Sequence, residues 1–298
     1  MLLMPVLYIK FCLIIDLLKN SNYVKINTNF LVFSFLIIII RILLYQVFKV
    51  SSLQNCKCFI VHLNRAEKRK KYVNEIIAKL NIETEIIDAV DGNLLTTDTI
   101  LRYYSKKPLY YPAYPFEVNN GEIGCFLSFR KAWQKIVDQN LSAGLIFEDD
   151  VSLDLQIFKK SFASSMKWIN EYGYIQFQVR DIPKNSKILK SDRRVQLLEP
   201  SPILLRCSAQ LVSYSTAKKL LEITQKFDRP VDGLLQLSWN TNINVTSIYP
   251  SGVIDNTHAS GGSNLSLKIP FYLRFKQEFK RIKYRYNLKK YINKYNKL

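Results

Sequence analysis

Three adjacent acidic residues, Glu148, Asp149 and Asp150, form the sharpest candidate site in the sequence. Neighbouring carboxylates repel one another unless a cation compensates their charge. In an extended backbone, the first and third side chains of such a triplet point to the same side. Hard divalent cations such as Mg²⁺ and Mn²⁺ prefer oxygen ligands and often combine one or two carboxylates with phosphate oxygens. The triplet therefore indicates either a metal that bridges the protein to a diphosphate, or an acidic turn after a buried strand.

The segments before the triplet predict the α/β sheet that would position it. A strand over residues 57–63, a helix over 68–80 and a strand over 81–90 form the βαβ unit of a parallel sheet. Leu145-Ile146-Phe147 has the pattern of a short buried strand. The triplet thus stands at the carboxyl end of a strand, which is where open α/β sheets bind ligands.

Further elements follow from the same periodicities. Residues 93–120 are rich in Tyr and Pro, and we expect a long functional loop there, with a lid as one interpretation. A helix is expected from Gly121. The remaining expectations are a polar, basic loop over 180–194, strands within 172–179 and 244–255, a strand pair or a strand and turn within 203–215, and helices over 215–227 and from Val231.

The composition excludes several classes of protein. A hydrophobic content of 48% argues against a disordered chain, five Cys are too few for a disulfide scaffold, and two His exclude a His-rich metal centre. We divide the chain into an apolar N-terminal segment (1–54), a central domain (55–267) and a basic tail (268–298). Residues 30–48 are long enough to cross a bilayer, although Arg41 interrupts them, so an anchor, a monotopic hairpin and a non-native extension all remain open.

The net charge of +19 is concentrated at the ends of the chain. Residues 268–298 contain eleven Lys or Arg against Glu278, whereas residues 51–267 contain 27 basic and 22 acidic residues. A helix in this tail could lie on an anionic membrane, bind nucleic acid, or pack an aromatic stripe on its own domain. We favour an anionic membrane surface and expect no nucleic acid, because the middle of the chain has no recognised nucleic-acid motif. The stripe at helical spacing consists of Phe271, Phe275, Phe279, Ile282 and Tyr286.

Six segments of the chain occur in an order that is more specific than any one of them. They are FIVHLNRAEKRK (59–70), IIDAVDG (86–92), GEIGCFLSFRKAWQKIV (121–137), AGLIFEDDV (143–151), AQLVSYSTAKKLL (209–221) and RPVDGLL (229–235). In this order they resemble glycosyltransferase family 25, the lipopolysaccharide-biosynthesis glycosyltransferases, from about Lys57 to Asp255. The resemblance implies an α/β fold, the Rossmann-like sandwich of the A-type glycosyltransferases, with one nucleotide-sugar site.

The resemblance also implies a reaction. A hexose, typically galactose from UDP-galactose, would pass to a sugar hydroxyl on a growing, lipid-linked lipooligosaccharide at the cytoplasmic face of a bacterial inner membrane. Glu148, Asp149 and Asp150 would be the family's DxD-like element and would hold Mn²⁺ or Mg²⁺ against the donor diphosphate. An inverting transfer needs a base to deprotonate the acceptor hydroxyl. Asp232 is the candidate, with a carboxylate that merely pairs with the helix dipole as the alternative.

Four further residues are candidates for contacts with the donor. Arg65 and Arg69 follow the first strand and suit the diphosphate charge, unless they are solvated surface charges. Asp88, at the end of the second strand, would contact the uridine or ribose. Glu122, at the start of a helix, would either contact substrate or cap the helix.

Two positions depart from the family pattern. Members often have Ser-His where this chain has Ser128-Phe129, and His62 stands where a Ser is more usual. If that missing His contacts a substrate, Phe129 changes the specificity or weakens the activity. Phe129 therefore motivates a rival hypothesis, a non-catalytic glycan- or membrane-binding protein on a decayed glycosyltransferase scaffold.

Overall fold

The computed structural model describes residues 55–184, 186–259 and 271–295. The chain separates into two units, Met1–Gln54 and Asn55–Leu298, and the described residues belong to the second. The predicted membrane segment within residues 1–54 lies outside the described residues. Across the three described ranges, no helix is long and apolar enough to cross a membrane.

A mixed eight-stranded sheet forms the centre of this unit, in the order β2-β1-β3-β8-β5-β9-β7-β6. Strands β2, β1 and β3 are parallel, and β8 runs antiparallel to both β3 and β5. A second sheet pairs β4 with β10 in antiparallel fashion. The strands are β1 (Cys56–His62), β2 (Thr84–Asp88), β3 (Ala143–Glu148), β4 (Val151–Leu153), β5 (Tyr174–Phe177), β6 (Lys187–Asp192), β7 (Val195–Glu199), β8 (Ala209–Ser213), β9 (Val245–Tyr249) and β10 (Val253–Asp255).

Helices cover both faces of the main sheet, so the core has two layers. One layer packs α3, α5 and α6 on the sheet around Phe126 and Trp133, and the other packs α1 and α4 around Phe147 and Phe158. The helices are α1 (Lys70–Lys79), α2 (Thr97–Tyr103), α3 (Asn120–Asp138), α4 (Leu155–Tyr172), α5 (Tyr214–Ile223), α6 (Val231–Leu235), α7 (Ser238–Thr241) and α8 (Phe271–Tyr295). This arrangement confirms the predicted α/β sandwich.

Three of the expected segments differ from the structure. The predicted loop over 93–120 contains α2, which Thr96 caps by accepting a hydrogen bond from the Thr99 N–H. The predicted loop over 180–194 contains β6, which pairs with β7. Within 203–215, only Ala209–Ser213 is a strand, because the preceding residues leave the sheet and are bound by side chains instead.

The basic tail folds as α8 and packs on the domain through one of its faces. Leu288 is buried, the Tyr284 ring meets the Tyr114 ring edge-on at 5.6 Å, and Tyr291 stacks on Trp239 at 5.9 Å. The aromatic stripe identified from the sequence does not form this packed face, since Phe275, Phe279, Ile282 and Tyr286 are exposed. The interpretation in which that stripe packs on its own domain is therefore wrong, and the side chain of Phe271 lies outside the described residues.

Candidate active site

The carboxyl ends of three parallel strands meet at one edge of the sheet. The register aligns His62 with Asp88 and Val61 with Glu148, so the ends of β1, β2 and β3 are level. Strand β3 is buried along its length up to Glu148, as expected of a central strand covered on both faces. The acidic triplet therefore stands at the edge where an α/β sheet binds its ligands.

Asp149 is engaged by the turn that follows β1. Arg69 Nη1 donates to Asp149 Oδ1 at 2.6 Å, while the Leu63 N–H donates to Oδ2 at 3.2 Å. His62 Nδ1 lies 2.8 Å from the same Oδ2. Both carboxylate oxygens thus hold the turn after β1 in place. A metal bound by Asp149 would have to share carboxylate oxygens that already accept these hydrogen bonds. A diphosphate bound by Arg69 would have to share a guanidinium that is already paired with Asp149.

Asp150 joins that turn to the end of β10. Arg69 Nη2 lies 3.1 Å from Asp150 Oδ2, and the Thr257 hydroxyl donates to the same oxygen at 3.1 Å. Because β4 follows Asp150 directly and pairs Val151 with Asp255, the chain after β10 returns beside the triplet. Thr257 is a site residue that the sequence reasoning missed, since its position depends on this short second sheet.

Glu148 and Asp232 lie in one electrostatic neighbourhood. Burial raises the pKa of Glu148 to about 8, and the charges of Asp150, Asp149 and Asp232 act in the same direction, whereas Arg206 opposes them. Burial also raises the pKa of Asp232, against hydrogen bonds from the N–H groups of Arg206 (3.3 Å) and Gly233 (2.8 Å). A carboxylate with a raised pKa, held in a fixed orientation, suits general-base chemistry.

Glu122 belongs to the same neighbourhood and also caps α3. Its carboxylate accepts from the Asn119 N–H at 2.9 Å, while Asn119 Oδ1 accepts from the Glu122 N–H at 3.0 Å, so Glu122 caps the helix, and its contact with substrate stays a prediction. Burial raises the pKa of Glu122, and Asp232 adds to the rise. The start of α3 comes this close to the loop after β2 because Gly124 lacks a Cβ, which would lie 2.5 Å from the Val90 carbonyl oxygen.

Arg206 is a cation close to Glu148 that the sequence reasoning missed. Its Nη1 lies 3.0 Å from Asp255 Oδ2 and donates to the Thr257 hydroxyl at 3.2 Å. About a third of the side chain is exposed, with a relative accessibility of 32%. Its backbone φ is +91°, which is an uncommon conformation for a residue with a Cβ and is typical of functional sites. A signal was present, because Arg206 is an isolated charge in an otherwise apolar run.

Three glutamine side chains hold the segment that carries Arg206. Gln176 Nε2 donates to the Arg206 carbonyl at 2.7 Å, and Gln178 Nε2 donates to the Leu205 carbonyl at 3.4 Å. Gln236 Nε2 donates to the Ile203 carbonyl at 2.5 Å. These buried amides replace the strand partners that the segment lacks. They fix the left-handed backbone that aims Arg206 at the site.

Arg65 and Asp88 bond to residues at the ends of β1 and β2. Arg65 is half exposed, and its Nε donates to Asp91 Oδ2 at 2.6 Å. Asp88 Oδ1 accepts from Asn64 Nδ2 at 2.8 Å at the end of β2. Both residues line the rim formed by β1 and β2, so their predicted contacts with the donor stay predictions.

The segment before α3 is fixed to the domain by a buried ion pair. Asp228 Oδ2 accepts from the N–H groups of Leu109 (2.7 Å) and Tyr110 (3.2 Å). Arg229 has no solvent exposure, bonds to Asp228 at 2.7 Å, and donates to the Tyr110 carbonyl at 2.8 Å. Arg229 Nη1 also donates to the hydroxyl of Tyr284 on α8 at 3.1 Å. The loop that the sequence presented as a possible lid is thus tied to α6 and α8.

The sequence model of glycosyltransferase family 25 (LPS biosynthesis protein) matches residues 55–235, which is more than half of the chain and includes Arg69, Glu122, the acidic triplet, Arg206 and Asp232. The chain belongs to glycosyltransferase family 25. The A-type α/β fold expected of this family agrees with the sheet and its two helical layers.

Relatives within family 25 match a similar stretch. Human procollagen galactosyltransferase 2 is 28% identical over 206 residues, covering 61% of this chain and 30% of that protein. The mouse "inactive glycosyltransferase 25 family member 3" is 30% identical over 131 residues, 43% of this chain and 21% of that protein. A putative glycosyltransferase of Haemophilus influenzae is 28% identical over 187 residues, 58% of this chain and 59% of that protein. The matched part of this chain thus covers less than a third of the length of these two animal relatives.

Phe129, where family-25 members often have His, faces the core. It is fully buried and packs on Trp133, with ring centroids 6.4 Å apart. A side chain there contacts the layer beneath the sheet and not a substrate held at the strand ends. Phe129 therefore belongs to the core in this structure, and its effect on specificity or activity stays a prediction.

The oxygen ligands that the triplet offers suit the hard divalent cation that the family implies. Glu148 and Asp150 offer carboxylate oxygens, and the raised pKa of each reports burial beside like charges that a cation would relieve. Within the described ranges, no group of three His, Cys, Asp or Glu side chains is arranged to hold a metal. Two carboxylates suffice where substrate phosphates complete the shell.

Proposed function

We propose that this family-25 chain transfers galactose from UDP-galactose to a sugar hydroxyl of a lipid-linked oligosaccharide. The observation that carries the proposal is the convergence of Glu122, Glu148, Asp150 and Asp232, faced by Arg206, at the ligand-binding edge of the sheet. The human relative's name supports galactose, and the family's description supports a lipopolysaccharide-type acceptor. We place the enzyme at the cytoplasmic face of a bacterial inner membrane, where such acceptors are assembled.

Each carboxylate has a distinct part in this proposal. Asp232 accepts the proton of the acceptor hydroxyl, whose oxygen then forms a bond to the anomeric carbon while the bond from that carbon to the diphosphate breaks. Glu148 and Asp150 would hold Mn²⁺ or Mg²⁺, which when bound neutralises charge on the diphosphate. Arg206 stabilises the negative charge that the leaving diphosphate gains. Asp149 keeps the turn after β1 in place.

A donor screen tests the proposal. The release of UDP is measured with UDP-galactose, UDP-glucose and UDP-N-acetylhexosamines, with Mn²⁺ and a lipooligosaccharide acceptor present. We expect the highest rate with UDP-galactose. We expect Asp150→Ala to lower it about 100-fold, because charge on the diphosphate is then less stabilised. The matched control is Glu171→Gln, an exposed carboxylate paired with Lys190. An Asp150→Ala variant that turns over as fast as the parent would refute the metal assignment.

A second candidate is a non-catalytic glycan-binding protein on the same scaffold. The similarity to a mouse family member named inactive favours it. The two candidates differ in whether UDP binding depends on a divalent cation. Calorimetric titration of UDP with and without Mn²⁺ separates them, since a catalytic donor site binds UDP more tightly with the metal.

A further inference from the structure

Helix α8 presents two opposite aromatic faces. At 100° per residue, Tyr284, Leu288 and Tyr291 cluster on one side, which we call the docked face because it packs on the domain. The exposed stripe, which is Phe275, Phe279, Ile282 and Tyr286, falls within an arc of about 60° on the opposite side. The docked face accounts for the folding of the helix against the domain. The exposed stripe lies on the side of the helix opposite the docked face.

The exposed stripe has a large apolar surface in contact with water. Relative accessibilities are 71% for Phe275, 69% for Phe279, 57% for Ile282 and 69% for Tyr286. Single exposed apolar residues are common, but a contiguous row of four on one helix face marks an interaction site.

Basic side chains flank the exposed stripe on both sides. Arg285 and Lys289 lie along one border, and Lys283 and Lys290 lie along the other. Over 271–295 the helix carries nine basic residues and one acidic residue, Glu278. We propose that the exposed stripe and its basic flanks form a docking surface for an anionic membrane. A helix with this pattern lies in the plane of the interface, with its apolar face among the acyl chains and its cations on anionic headgroups.

The charge pattern favours a bilayer over the other possible occupants. A second copy docked through the same face would bring two strongly basic surfaces together at the cost of like-charge repulsion. Nucleic acid would satisfy the cations, but the aliphatic Ile282 among the aromatic residues of the stripe offers no base-stacking surface. An anionic bilayer satisfies both the apolar row and its basic borders.

The docked face connects this surface to the candidate active site. Tyr284 bonds to Arg229, which holds the Tyr110 carbonyl, and the Tyr284 ring packs on Tyr114. Burial raises the pKa of Tyr114, and the nearby charges of Glu122 and Asp232 add to the rise. If the proposed function is right, docking through α8 holds the segment beside Glu122 and Asp232 near the lipid surface.

Position-specific fluorescence quenching by brominated lipids tests the docking surface in the full chain. The reporter is Phe279→Trp, and the three native Trp of the parent set the baseline. The matched control is Ile188→Trp, on β6 at the far edge of the sheet, where the side chain is 55% exposed. Vesicles contain brominated phosphatidylcholine either alone or with phosphatidylglycerol. The reading is local, so it is independent of any binding by residues 1–54 and of any catalytic activity.

We expect quenching above the baseline for Phe279→Trp on anionic vesicles and none for Ile188→Trp. Adding Lys283→Glu and Lys290→Glu should weaken the vesicle affinity read by this probe at least 25-fold, at about fivefold for each basic residue lost. Equal quenching on neutral and anionic vesicles would overturn the electrostatic part. Absent quenching would overturn the proposal, as would a concentration-dependent dimer, or RNA binding, that accounts for burial of the reporter. Because UDP release with a water-soluble acceptor is measured separately, failure here leaves the proposed reaction standing.

Discussion

We expect Asp149→Ala to lower the stability of the protein, whereas we expect Asp150→Asn to impair its activity. The two carboxylates are neighbours in sequence but have different surroundings. Asp149 accepts from Arg69 at 2.6 Å and from the Leu63 N–H at 3.2 Å, and it lies 2.8 Å from His62. Arg69 is largely buried, so its charge needs the carboxylates beside it, of which Asp149 is the nearer at 2.6 Å.

The expected loss of stability for Asp149→Ala is about 3 kcal/mol. Removing one partner of a buried ion pair costs roughly 3–5 kcal/mol. The lower figure applies because Asp150 remains 3.1 Å from Arg69 Nη2. Asp150→Asn keeps an acceptor oxygen and relieves repulsion from Asp149 and Glu148, so its change in stability should stay within about 1 kcal/mol.

Urea unfolding of both variants, followed by UDP-release assays at a temperature where both are folded, separates the two effects. A double-mutant cycle of Asp149→Asn with Arg69→Met should give a coupling of at least about 1 kcal/mol. If Asp149→Ala is as stable as the parent but loses metal-dependent UDP binding, Asp149 is a metal ligand and our placement of it is refuted.

Three further variants test separate parts of the site. Arg206→Ala should lower kcat about 100-fold in steady-state kinetics, and Arg206→Lys should lower it less. The control is Arg193→Ala, at an exposed arginine that also has a left-handed backbone, and it should leave kcat unchanged. The pKa of Glu148 is raised to about 8 from an ordinary 4.5, so folding takes up a proton at pH values between these two. In EDTA, the free energy of unfolding should therefore fall as the pH rises from about 5 to 8. Glu148→Gln should flatten that slope, and an unchanged slope in this variant would contradict the raised pKa of Glu148. Asp228→Ala leaves the fully buried Arg229 without its carboxylate, so thermal and urea unfolding should show a loss of about 3–5 kcal/mol, and a loss below about 1 kcal/mol would contradict the role of this pair.

The parts of the fold that rest on local pattern were predictable from the sequence. The apolar run of β3 ends at Glu148, and the asparagine and glutamate around Gly121 supply the capping box that starts α3. The parallel pairing of β1 with β2 follows from the helix between them. These features need only neighbours within a few residues or one βαβ unit.

The remaining features depend on contacts between distant segments. Arg206 is aimed by Gln176, Gln178 and Gln236, which come from β5, the residue after it and the end of α6. No local pattern links these positions, and a strand was the natural interpretation of the apolar run. Sequence spacing predicts the same metal-binding role for Asp149 as for its two neighbours, because it cannot reveal that Arg69 bonds to the Asp149 carboxylate.

Helix α8 shows the limit of periodicity itself. Aromatic or aliphatic residues recur at helical spacing on both sides of the helix, at Phe279 and Ile282 as well as at Tyr284 and Leu288. The period predicts a helix with an apolar face but cannot choose which face packs on the domain. The choice depends on Arg229 and Trp239, which meet Tyr284 and Tyr291.

The most direct test of the central claim is transfer of labelled galactose from UDP-galactose to a lipooligosaccharide acceptor by the parent and by Asp232→Asn. Asp138→Asn, an exposed carboxylate on α3 that accepts from Gln134, is the matched control. Loss of a general base should lower kcat by about 10²–10⁴-fold while UDP binding is kept, and the control should match the parent. An Asp232→Asn enzyme that transfers galactose at the parental rate, or a parent that transfers no sugar from any UDP donor, would contradict the account.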